Sequence, residues 1–362
     1  MAELRVGILG GGQLARMLAL AGHPLGLHIT VLDPAEAPCA ASMAGHIRAD
    51  YTDEAALDRL ATASDVVTFE FEQVSEAAVA ALADRVAVHP RSDALGTGRD
   101  RLHEKTLFRE LGIPTARFAA VDSEADLASA VAEVGLPAVL KTRTLGYDGK
   151  GQEILEREGD VAGAWERLGR VPLILEEVVA FDREVSMVAV RGGDGDCRFY
   201  PLAENVHREG VLRESFPRPG DPVQEAAEAN ARALLERLDY IGVLALEMFQ
   251  AGDRLLANEM GPRVHNSGHW TIEGAETSQF ANHMRAVCGL PLGATEPVGD
   301  SAMINLIGEL PDTGAVLAAP GAHLHLYDKA PRPGRKIGHI TVRADDPDRL
   351  RERIQGLSRA LG

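Results

Sequence analysis

The residues best suited to chemistry lie in one stretch, from Gly242 to Trp270, which carries two carboxylates followed by a cationic loop. Its apolar pattern predicts two strands joined by a short turn. With a three-residue turn, so that Gln250 pairs with Arg254, the side chains of Glu247 and Glu259 share one face of the hairpin because side chains alternate along a strand. Two buried carboxylates repel each other unless a cation lies between them. The hairpin therefore predicts a site for Mg²⁺, which prefers oxygen ligands and shares them with nucleotide phosphates; the alternative is a single buried glutamate paired with the arginine of the loop.

A second candidate site is the glycine-rich loop between Lys141 and Gln152, which reads Lys-Thr-Arg-Thr-Leu-Gly-Tyr-Asp-Gly-Lys-Gly-Gln. Backbone N–H groups of such a loop can meet phosphate oxygens while the lysines supply positive charge. The loop is not a Walker A motif, because Gly-Lys-Ser/Thr before a helix is absent and a strand follows instead. It predicts a phosphate-binding lid, and the alternative is a plain hairpin turn with surface lysines.

An acidic segment at the end of an apolar strand predicts a hinge between domains. The strand runs from Pro172 to Val179 and ends in Glu-Glu-Val-Val. Backbone groups of such a hinge are free to pair with a nucleotide base, and the nearby Glu184 can reach ribose hydroxyls. The alternative is an ordinary solvated linker.

A basic turn near the C-terminus is the fourth candidate. It runs from Tyr327 to Lys336, and Lys329 and Arg335 flank its two prolines. Prolines stiffen a turn, so its charges can be held ready for a phosphate group. The alternative is a solvated basic surface on an acidic protein.

The N-terminus carries a glycine motif between a strand and an amphipathic helix. Small residues occupy the three key positions and an acidic residue follows about 20 positions later, as Gly10, Gly12, Ala15 and Asp33. Taken alone, this motif favours a nicotinamide-dependent oxidoreductase. A later strand ends at Glu70 and Glu72, and the carboxyl ends of strands in open α/β sheets are where ligands bind.

Composition narrows the class of protein. The chain has 362 residues, 45% of them hydrophobic and 25% charged, with a net charge of −17, which predicts an ordered globular protein of two or three domains. No basic face for nucleic acid stands out. Three widely spaced cysteines predict a reduced, cytoplasmic protein, and neither a signal peptide nor a membrane-spanning run is expected.

The elements that position these candidates divide the chain into three parts. Residues 1–100 alternate strands and helices, which predicts a Rossmann-like domain. Residues 101–180 predict a linker helix and a small αβ lid, and residues 181–362 predict a larger domain built on an antiparallel sheet. The expected fold class is therefore α/β combined with α+β.

The order of these parts resembles that of the ATP-grasp ligases. Within them, the closer resemblance is to the 5-(carboxyamino)imidazole ribonucleotide synthase family of bacterial purine biosynthesis, over residues 4–345. Three motifs carry it: Gly-Tyr-Asp-Gly-Lys-Gly-Gln at 146–152, Pro-Arg-Val-His-Asn-Ser-Gly-His-Trp at 262–270, and Tyr-Asp-Lys with Arg-Pro-Gly-Arg-Lys at 327–336. The resemblance implies an ATP-grasp fold.

The resemblance also implies the sites. It places ATP between the lid and the C-terminal domain, in contact with Arg101, Lys141, Gly146, Tyr147, Asp148, Gly149, Lys150, Gly151, Gln152, Glu176, Glu177, Val178, Val179, Glu184, His207, Asn258 and Glu259. It implies that Glu247 and Glu259 hold Mg²⁺ ions, and that Arg263, His265 and Asn266 orient bicarbonate and take part in catalysis.

For the second substrate, the resemblance implies that Tyr147, Asp148 and Lys150 face 5-aminoimidazole ribonucleotide and that Lys329 and Arg335 bind its phosphate. Asp148 is the first candidate for fixing the amine, and the loop histidine is the rival proton acceptor. Lys150 stands where the family often has arginine, which removes a bidentate contact. At the hinge, two valines recognise nothing by side chain, so backbone contacts must bind the base.

The implied reaction is phosphoryl transfer from ATP to bicarbonate, giving carboxyphosphate, followed by attack of the amine on that carbon or on released carbon dioxide. A homodimer is expected only from the resemblance, and neither a nucleic-acid nor a membrane partner is expected. Two alternatives remain at this point. One is another ATP-grasp ligase or a formate-dependent transformylase acting on a different nucleotide amine, and the other is the nicotinamide oxidoreductase.

Overall fold

The computed structural model describes residues 3–72, 74, 76–144, 146 and 151–361, with the backbone alone at 76 and 358–361. The first region, residues 3–100, is a parallel sheet of strand order β3-β2-β1-β4-β5. Its elements are β1 (Arg5–Leu9), α1 (Gln13–Gly22), β2 (His28–Asp33), β3 (Gly45–Arg48), α2 (Glu54–Thr62), β4 (Val66–Phe69), α3 (Glu76–Ala83), β5 (Ala87–Val88) and α4 (Ser92–Arg99), with a short 3₁₀ helix at His23–Leu25.

Both faces of this sheet are covered, as its uninterrupted apolar strands require. Val6 and Ile8 of β1 pack in a core with α1, whereas Leu9 and Val67 pack in a second core with α2 and α3. The carboxyl ends of β1 and β4 form the edge at which open α/β sheets place ligands.

The next region begins with a linker helix and continues into a small antiparallel sheet of order β6-β9-β7-β8. Its elements are α5 (Arg101–Glu110), β6 (Phe118–Val121), α6 (Glu124–Val134), β7 (Ala138–Thr142), β8 (Gln152–Leu155), α7 (Glu158–Val161), α8 (Ala164–Arg167) and β9 (Leu173–Glu177). The glycine-rich loop joins β7 to β8.

The last region is built on a large antiparallel sheet of order β15-β14-β10-β12-β13-β16-β18-β17, with β11 paired to β10. Its elements are β10 (Arg183–Arg191), β11 (Cys197–Phe199), β12 (Ala203–Arg208), β13 (Val211–Pro217), α9 (Gln224–Arg237), β14 (Gly242–Ala251), β15 (Arg254–Gly261), a 3₁₀ helix (Asn266–Gly268), α10 (Thr271–Gly274), α11 (Gln279–Val287), β16 (Asp300–Ile307), α12 (Thr313–Ala318), β17 (Ala322–Leu326), β18 (Lys336–Ala344) and α13 (Pro347–Leu361).

The hairpin of β14 and β15 corrects the predicted register. Ala251, not Gln250, pairs with Arg254. A two-residue turn of this kind would place Glu247 and Glu259 on opposite faces if the ladder were regular. The register shifts by one residue at Glu247, so that the two glutamates pair directly. The shared face is thus as predicted, but a β-bulge at Asn258 produces it rather than the length of the turn.

Buried polar contacts join the three regions around a common space. The Thr68 hydroxyl of β4 lies 2.9 Å from Nε2 of His283 on α11, whose Nδ1 accepts from the Val243 N–H at 3.1 Å. Arg143 at the end of β7 forks onto Asp100, which caps α5, with a shortest distance of 2.7 Å. Among the described residues, no helix is long and apolar enough to cross a membrane.

Candidate active site

A cavity of about 800 Å³ lies where the lid, the carboxyl edge of the parallel sheet and the large antiparallel sheet meet. Its lining includes most of the predicted ATP, metal and bicarbonate contacts, namely Arg101, Lys141, Gly146, Gln152, Glu184, His207, Glu247, Asn258, Glu259, Arg263, His265 and Asn266. These residues come from elements far apart in sequence, so the fold assembles the site.

The two hairpin glutamates face the cavity side by side and are held by different partners. Glu259 Oε2 lies 2.9 Å from Nη1 of Arg101, and Glu247 Oε1 lies 3.0 Å from Nε2 of His265. Burial and the charge of Glu259 raise the pKa of Glu247. Burial alone would raise the pKa of Glu259, but the Arg101 guanidinium outweighs it and holds that pKa below its usual value. Neither glutamate pairs with Arg263, so that alternative is wrong.

The residues around this pair fit a magnesium ion. Asn258, the bulged residue, has a buried Oδ1 without a hydrogen-bond partner in the described structure, and a buried unpaired acceptor is costly unless a cation or water meets it. Burial and the charge of Glu259 raise the pKa of Glu247, and a cation beside the pair relieves the repulsion between the two charges. Within the described ranges no three His, Cys, Asp or Glu residues form an all-protein metal cage, and Mg²⁺ commonly uses only one or two carboxylates with substrate phosphates.

His265 is a neutral imidazole with both nitrogens engaged. Burial and the charge of Arg263 hold its pKa well below the usual value. The Ser267 N–H donates to Nδ1 at 3.3 Å, which places the proton of a neutral ring on Nε2, 3.0 Å from Oε1 of Glu247. Gln279 clamps the histidine backbone by accepting from its N–H at 2.9 Å and donating to its carbonyl at 2.6 Å. In this arrangement His265 lies against Glu247, and its Nδ1 lone pair accepts from Ser267 and is not free for the amine proton.

Arg263 spans the cavity to the N-terminal domain. Its Nη2 lies 2.5 Å from Oε1 of Glu72, just beyond the end of β4, and its Nη1 donates to the Val264 carbonyl at 3.1 Å. Its Nε is buried and has no partner among the described residues. The guanidinium has five N–H groups, so donors remain beyond these two contacts.

Asn266 forms a reciprocal amide pair with Asn305 of β16. Asn305 Nδ2 donates to Asn266 Oδ1 at 2.7 Å, and Asn266 Nδ2 donates back at 3.0 Å. The Leu212 carbonyl accepts from Asn305 Nδ2 at 2.9 Å, which fixes the orientation of both amides. No pattern in the sequence singles out Asn305 or Gln279, because their role depends on which loop they face in three dimensions.

At the end of the cavity predicted to hold ATP, a buried carboxylate lies between two lysines. Glu176 is 3.0 Å from Nζ of Lys105 and 3.2 Å from Nζ of Lys141. Burial would raise the pKa of Glu176, but the two lysines lower it to about 2. Lys105 is 1% exposed and also donates to the Ala257 carbonyl beside the bulge. Lys105 was not among the residues expected from the sequence, although a charged residue on the apolar stripe of α5 was a usable signal.

The hinge residues lie away from the cavity lining. Glu177 forks onto Arg117 at 3.0 and 3.1 Å, and the Val178 N–H donates to the Pro137 carbonyl at 3.2 Å. Farther along the chain, Glu184 lies 3.0 Å from Nδ1 of His207. Burial lowers the pKa of His207, but its hydrogen bond to Glu184 outweighs that effect and raises the pKa. Val179 is the last residue of this hinge.

Several of the remaining predicted site residues are not described by the structure. Tyr147, Asp148, Gly149 and Lys150 lie outside the described residues. Gly151 has φ +71° and approaches Thr142 so closely that a Cβ would clash with its hydroxyl.

The basic turn reaches the first domain. Lys329 donates to Gln13 Oε1 at the start of α1, and Arg335 donates to the Ala330 carbonyl at 3.2 Å. Gln13 lines the cavity, as does Lys336. Burial and the charge of Arg335 lower the pKa of Lys329.

The glycine motif does not present an open phosphate site. Glu70 accepts from the N–H groups of Gly12 and Ala15 at the start of α1, the latter at 2.9 Å. Asp33 accepts from the Gly11 N–H at 2.8 Å. The protein's own carboxylates thus occupy the helix N-terminus that a dinucleotide's pyrophosphate would need. A Cβ at Gly12 would lie 2.6 Å from Oε1 of Glu70, so the small residues admit Glu70 rather than a cofactor.

Family models match three successive parts of the chain. A ribonucleotide synthetase preATP-grasp domain matches residues 3–98, an ATP-grasp domain matches residues 106–280, and a phosphoribosylaminoimidazole carboxylase C-terminal domain matches residues 301–353. The N5-carboxyaminoimidazole ribonucleotide synthase of Pseudomonas aeruginosa is 56% identical over 351 residues, which cover 97% of this chain and 98% of that relative. The chain belongs to the N5-carboxyaminoimidazole ribonucleotide synthase family.

Solved structures of the synthase family share the fold. The synthetase from Thermus thermophilus superposes with a TM-score of 0.95 at 54% identity and covers 99% of this chain and 98% of that one. The synthase from Aspergillus clavatus, in complex with ADP and 5-aminoimidazole ribonucleotide, has a TM-score of 0.91 at 33% identity and covers the same fractions. The predicted ATP-grasp fold with a Rossmann-like N-terminal domain is confirmed. The prediction that the chain is an ATP-dependent ligase is confirmed as well. The nicotinamide oxidoreductase alternative is wrong.

Proposed function

We propose that this enzyme uses ATP and bicarbonate to carboxylate the exocyclic amine of 5-aminoimidazole ribonucleotide. The product is N5-carboxyaminoimidazole ribonucleotide, an intermediate on the way to IMP, and ADP and phosphate are released. The observation that carries the proposal is that paired carboxylates meet Arg263, His265 and Asn266 in one cavity. Relatives over nearly the full length carry the corresponding name.

ATP occupies the part of the cavity between the lid and the large sheet. Arg101, Lys141 and His207 supply positive charge to its phosphates, together with the loop at 146–152. The adenine extends past the cavity lining to the hinge at 176–179, which binds it, and Glu184 binds the ribose. Lys105 and Glu176 hold Lys141 in place from behind, which phosphoryl transfer requires because positioning and charge neutralisation provide most of its catalysis.

Glu247 and Glu259 hold Mg²⁺, with the Asn258 oxygen beside them. When bound, the metal neutralises phosphate charge and fixes the geometry of transfer. Arg101 holds the pKa of Glu259 below its usual value, and Nε2 of His265 lies 3.0 Å from Oε1 of Glu247, so that both carboxylates have fixed partners in the cavity.

Bicarbonate binds at Arg263 and the Asn266 amide. The Arg263 guanidinium has donors beyond its contacts with Glu72 and Val264 for an oxyanion, and Asn305 keeps the Asn266 amide in a fixed orientation. Attack of a bicarbonate oxygen on the γ-phosphorus gives carboxyphosphate. Because that intermediate hydrolyses readily, closure of the glycine-rich lid over the cavity excludes water.

5-Aminoimidazole ribonucleotide lies on the side nearest the N-terminal domain. Tyr147, Asp148 and Lys150 face it, and Lys329 and Arg335 bind its phosphate. Asp148 is the better candidate for the amine proton, since both nitrogens of His265 are engaged. We also propose that the enzyme is a homodimer in the cytoplasm. Its chain divides into three domains, residues 1–100, 101–180 and 181–362.

Phosphate release with each substrate omitted in turn tests the proposal. We expect release of phosphate from ATP to require bicarbonate and to be stimulated by 5-aminoimidazole ribonucleotide, with one product formed per ADP. Formate replacing bicarbonate, or another nucleotide amine replacing the ribonucleotide, would indicate the transformylase or a different ATP-grasp ligase. A panel of such substrates decides between the two.

A further inference from the structure

The strand that carries Glu259 lies at the edge of the large sheet. In the described part of the chain, β15 ends the strand order and has only a single bridge, between Thr115 and Ala257, on its outer side. An edge strand leaves N–H and C=O groups without ladder partners, and the bulge at Asn258 interrupts the ladder on the inner side. The position of Glu259 in the cavity therefore depends on what holds this edge.

One face of helix α5 supplies partners to the edge of β15. Arg101, Glu104 and Lys105 are spaced by three and four residues, which places their side chains next to one another on the helix. Lys105 Nζ donates to the Ala257 carbonyl at 3.2 Å, just before the bulge. Glu104 Oε1 accepts from the Met260 N–H at 2.6 Å, just after it. Helix side chains thus take the place of a strand partner on both sides of residues 258–259.

Glu104 is the member of this helix face that the proposed reaction does not use. Arg101 donates to Glu259 Oε2 at 2.9 Å, and Lys105 pairs with Glu176. Glu104 lines the cavity and is buried, and a buried carboxyl costs free energy unless its contacts offset that cost. Its hydrogen bond goes to the backbone of the residue that directly follows Glu259.

We propose that Glu104 is a positioning residue, which fixes the bulge of β15 through the Met260 N–H. By doing so it directs the Glu259 carboxylate, and the Asn258 oxygen beside it, toward the metal. This inference rests on the proposed function, which places Mg²⁺ at Glu247 and Glu259. A role in stability alone predicts that substitutions at Glu104 weaken the fold and leave the affinity for the metal unchanged.

The proposal states what the strand needs from Glu104, namely an acceptor oxygen at the end of a side chain of this length. A buried N–H that loses its acceptor is costly. Glutamine keeps an acceptor oxygen at the same distance from the backbone. Methionine has a similar length, but its sulfur is only a weak acceptor. Glu104→Gln should therefore restore what Glu104→Met loses.

The first measurement is hydrogen exchange at the Met260 amide in the metal-free protein. We expect this amide to exchange about 10- to 100-fold faster in Glu104→Met than in the wild type, because the N–H loses its acceptor. In Glu104→Gln the rate should stay within about threefold of the wild type. Exchange resolved to single residues by NMR measures both rates.

The second measurement is the affinity for Mn²⁺ in the presence of ADP, read from the EPR signal of free Mn²⁺ with a protein-free titration as the blank. Glu104→Met should bind Mn²⁺ about 10- to 100-fold more weakly than the wild type, because the metal must then restore the bulge. Glu104→Gln should bind within about threefold of the wild type. Glu104→Asp keeps the carboxyl on a shorter side chain and should also weaken binding, which gives the test a variant without a buried apolar replacement.

The matched control is Gln224→Met on α9. Gln224 Oε1 accepts from the Leu202 N–H at 2.7 Å, and neither residue is among the described residues that line the cavity. This variant also deprives a backbone N–H of its acceptor, but it should leave the affinity for Mn²⁺ unchanged.

Faster exchange at Met260 with unchanged Mn²⁺ affinity would overturn the inference, because Glu104 would then support the strand without positioning the metal ligands. Equal weakening in Glu104→Gln and Glu104→Met would also overturn it, since the acceptor oxygen would not be what matters. Wild-type protein that binds no Mn²⁺ with ADP would overturn the proposed metal site and this inference together. Binding by the wild type with equal affinity in all variants would overturn this inference alone.

Discussion

At the scale of single residues, the surroundings of Glu247 and Glu259 decide what two identical side chains can do. Arg101 keeps Glu259 ionised. The pKa of Glu247 is raised, and the neutral His265 beside it supplies no positive charge to lower it. Glu259 is therefore the anion on which a metal relies first.

Replacing Glu259 by Gln removes one hard ligand from the phosphate clamp and leaves Arg101 without its partner. We expect turnover to fall by at least about two orders of magnitude, with an unchanged circular dichroism spectrum. The measurement is ADP formation as a function of Mg²⁺ concentration. The exposed Glu225→Gln on α9 serves as the charge-matched control, and ADP formation near the wild-type rate in Glu259→Gln would rule out the metal assignment.

A substitution at Arg335 tests how the second substrate binds rather than whether the chain folds. Replacing it by Met keeps much of the bulk but deletes a charge, so ribonucleotide binding should weaken by about 30- to 150-fold while ATP affinity stays unchanged. The dephosphorylated riboside should lose little more in the variant, so the two losses are strongly non-additive. Arg237→Met, an exposed change at the end of α9, is the control. Additive losses would mean that the phosphate site lies elsewhere.

At the scale of elements, three of them meet at one buried charge cluster. Lys105 of α5, Lys141 of β7 and Glu176 of β9 form it. The folded-state pKa of Glu176, about 2, lies below its ordinary value. Ionised Glu176 therefore contributes stability above about pH 4.5, and that contribution is lost as the pH falls towards 2.

Glu176→Gln leaves both lysines without their anion, so we expect a loss of about 3 kcal/mol in the free energy of unfolding at neutral pH. The difference from wild type should shrink as the pH falls from about 4.5 towards 2, since protonated Glu176 is neutral like Gln. Denaturant unfolding at a series of pH values measures both. A difference that is constant with pH would show that the cluster does not hold Glu176 ionised.

The hairpin of β14 and β15 shows which features of an element could be predicted from the sequence. Alternating apolar residues and two glutamates predicted the strands and the shared face, since these follow from local pattern. The actual register needed a bulge at Asn258, which depends on backbone hydrogen bonds and has no composition of its own. For the same reason Lys105, Gln279 and Asn305 were missed, because each acts through a partner that only the tertiary fold supplies.

At the scale of the whole molecule, the glycine motif of the first domain has a different use from the one its pattern favours. Glu70 and Asp33 occupy its N–H groups, while the adjoining Glu72 reaches Arg263 of the last domain. The glycine motif by itself favours a nicotinamide-dependent oxidoreductase. The family motifs spread along the chain correct that interpretation. The first domain thereby becomes a wall of a shared cavity and not a separate cofactor site.

The most direct test of the central claim follows an oxygen atom from bicarbonate. With ¹⁸O-labelled bicarbonate, ATP and 5-aminoimidazole ribonucleotide, carboxyphosphate carries a labelled oxygen between carbon and phosphorus. Amine attack at carbon, or release of carbon dioxide, leaves that oxygen on phosphate. Mass spectrometry should therefore find one ¹⁸O in each phosphate released, together with carboxylated ribonucleotide. Unlabelled phosphate formed alongside ADP would contradict the account, because the γ-phosphate would then have passed to water or to another acceptor.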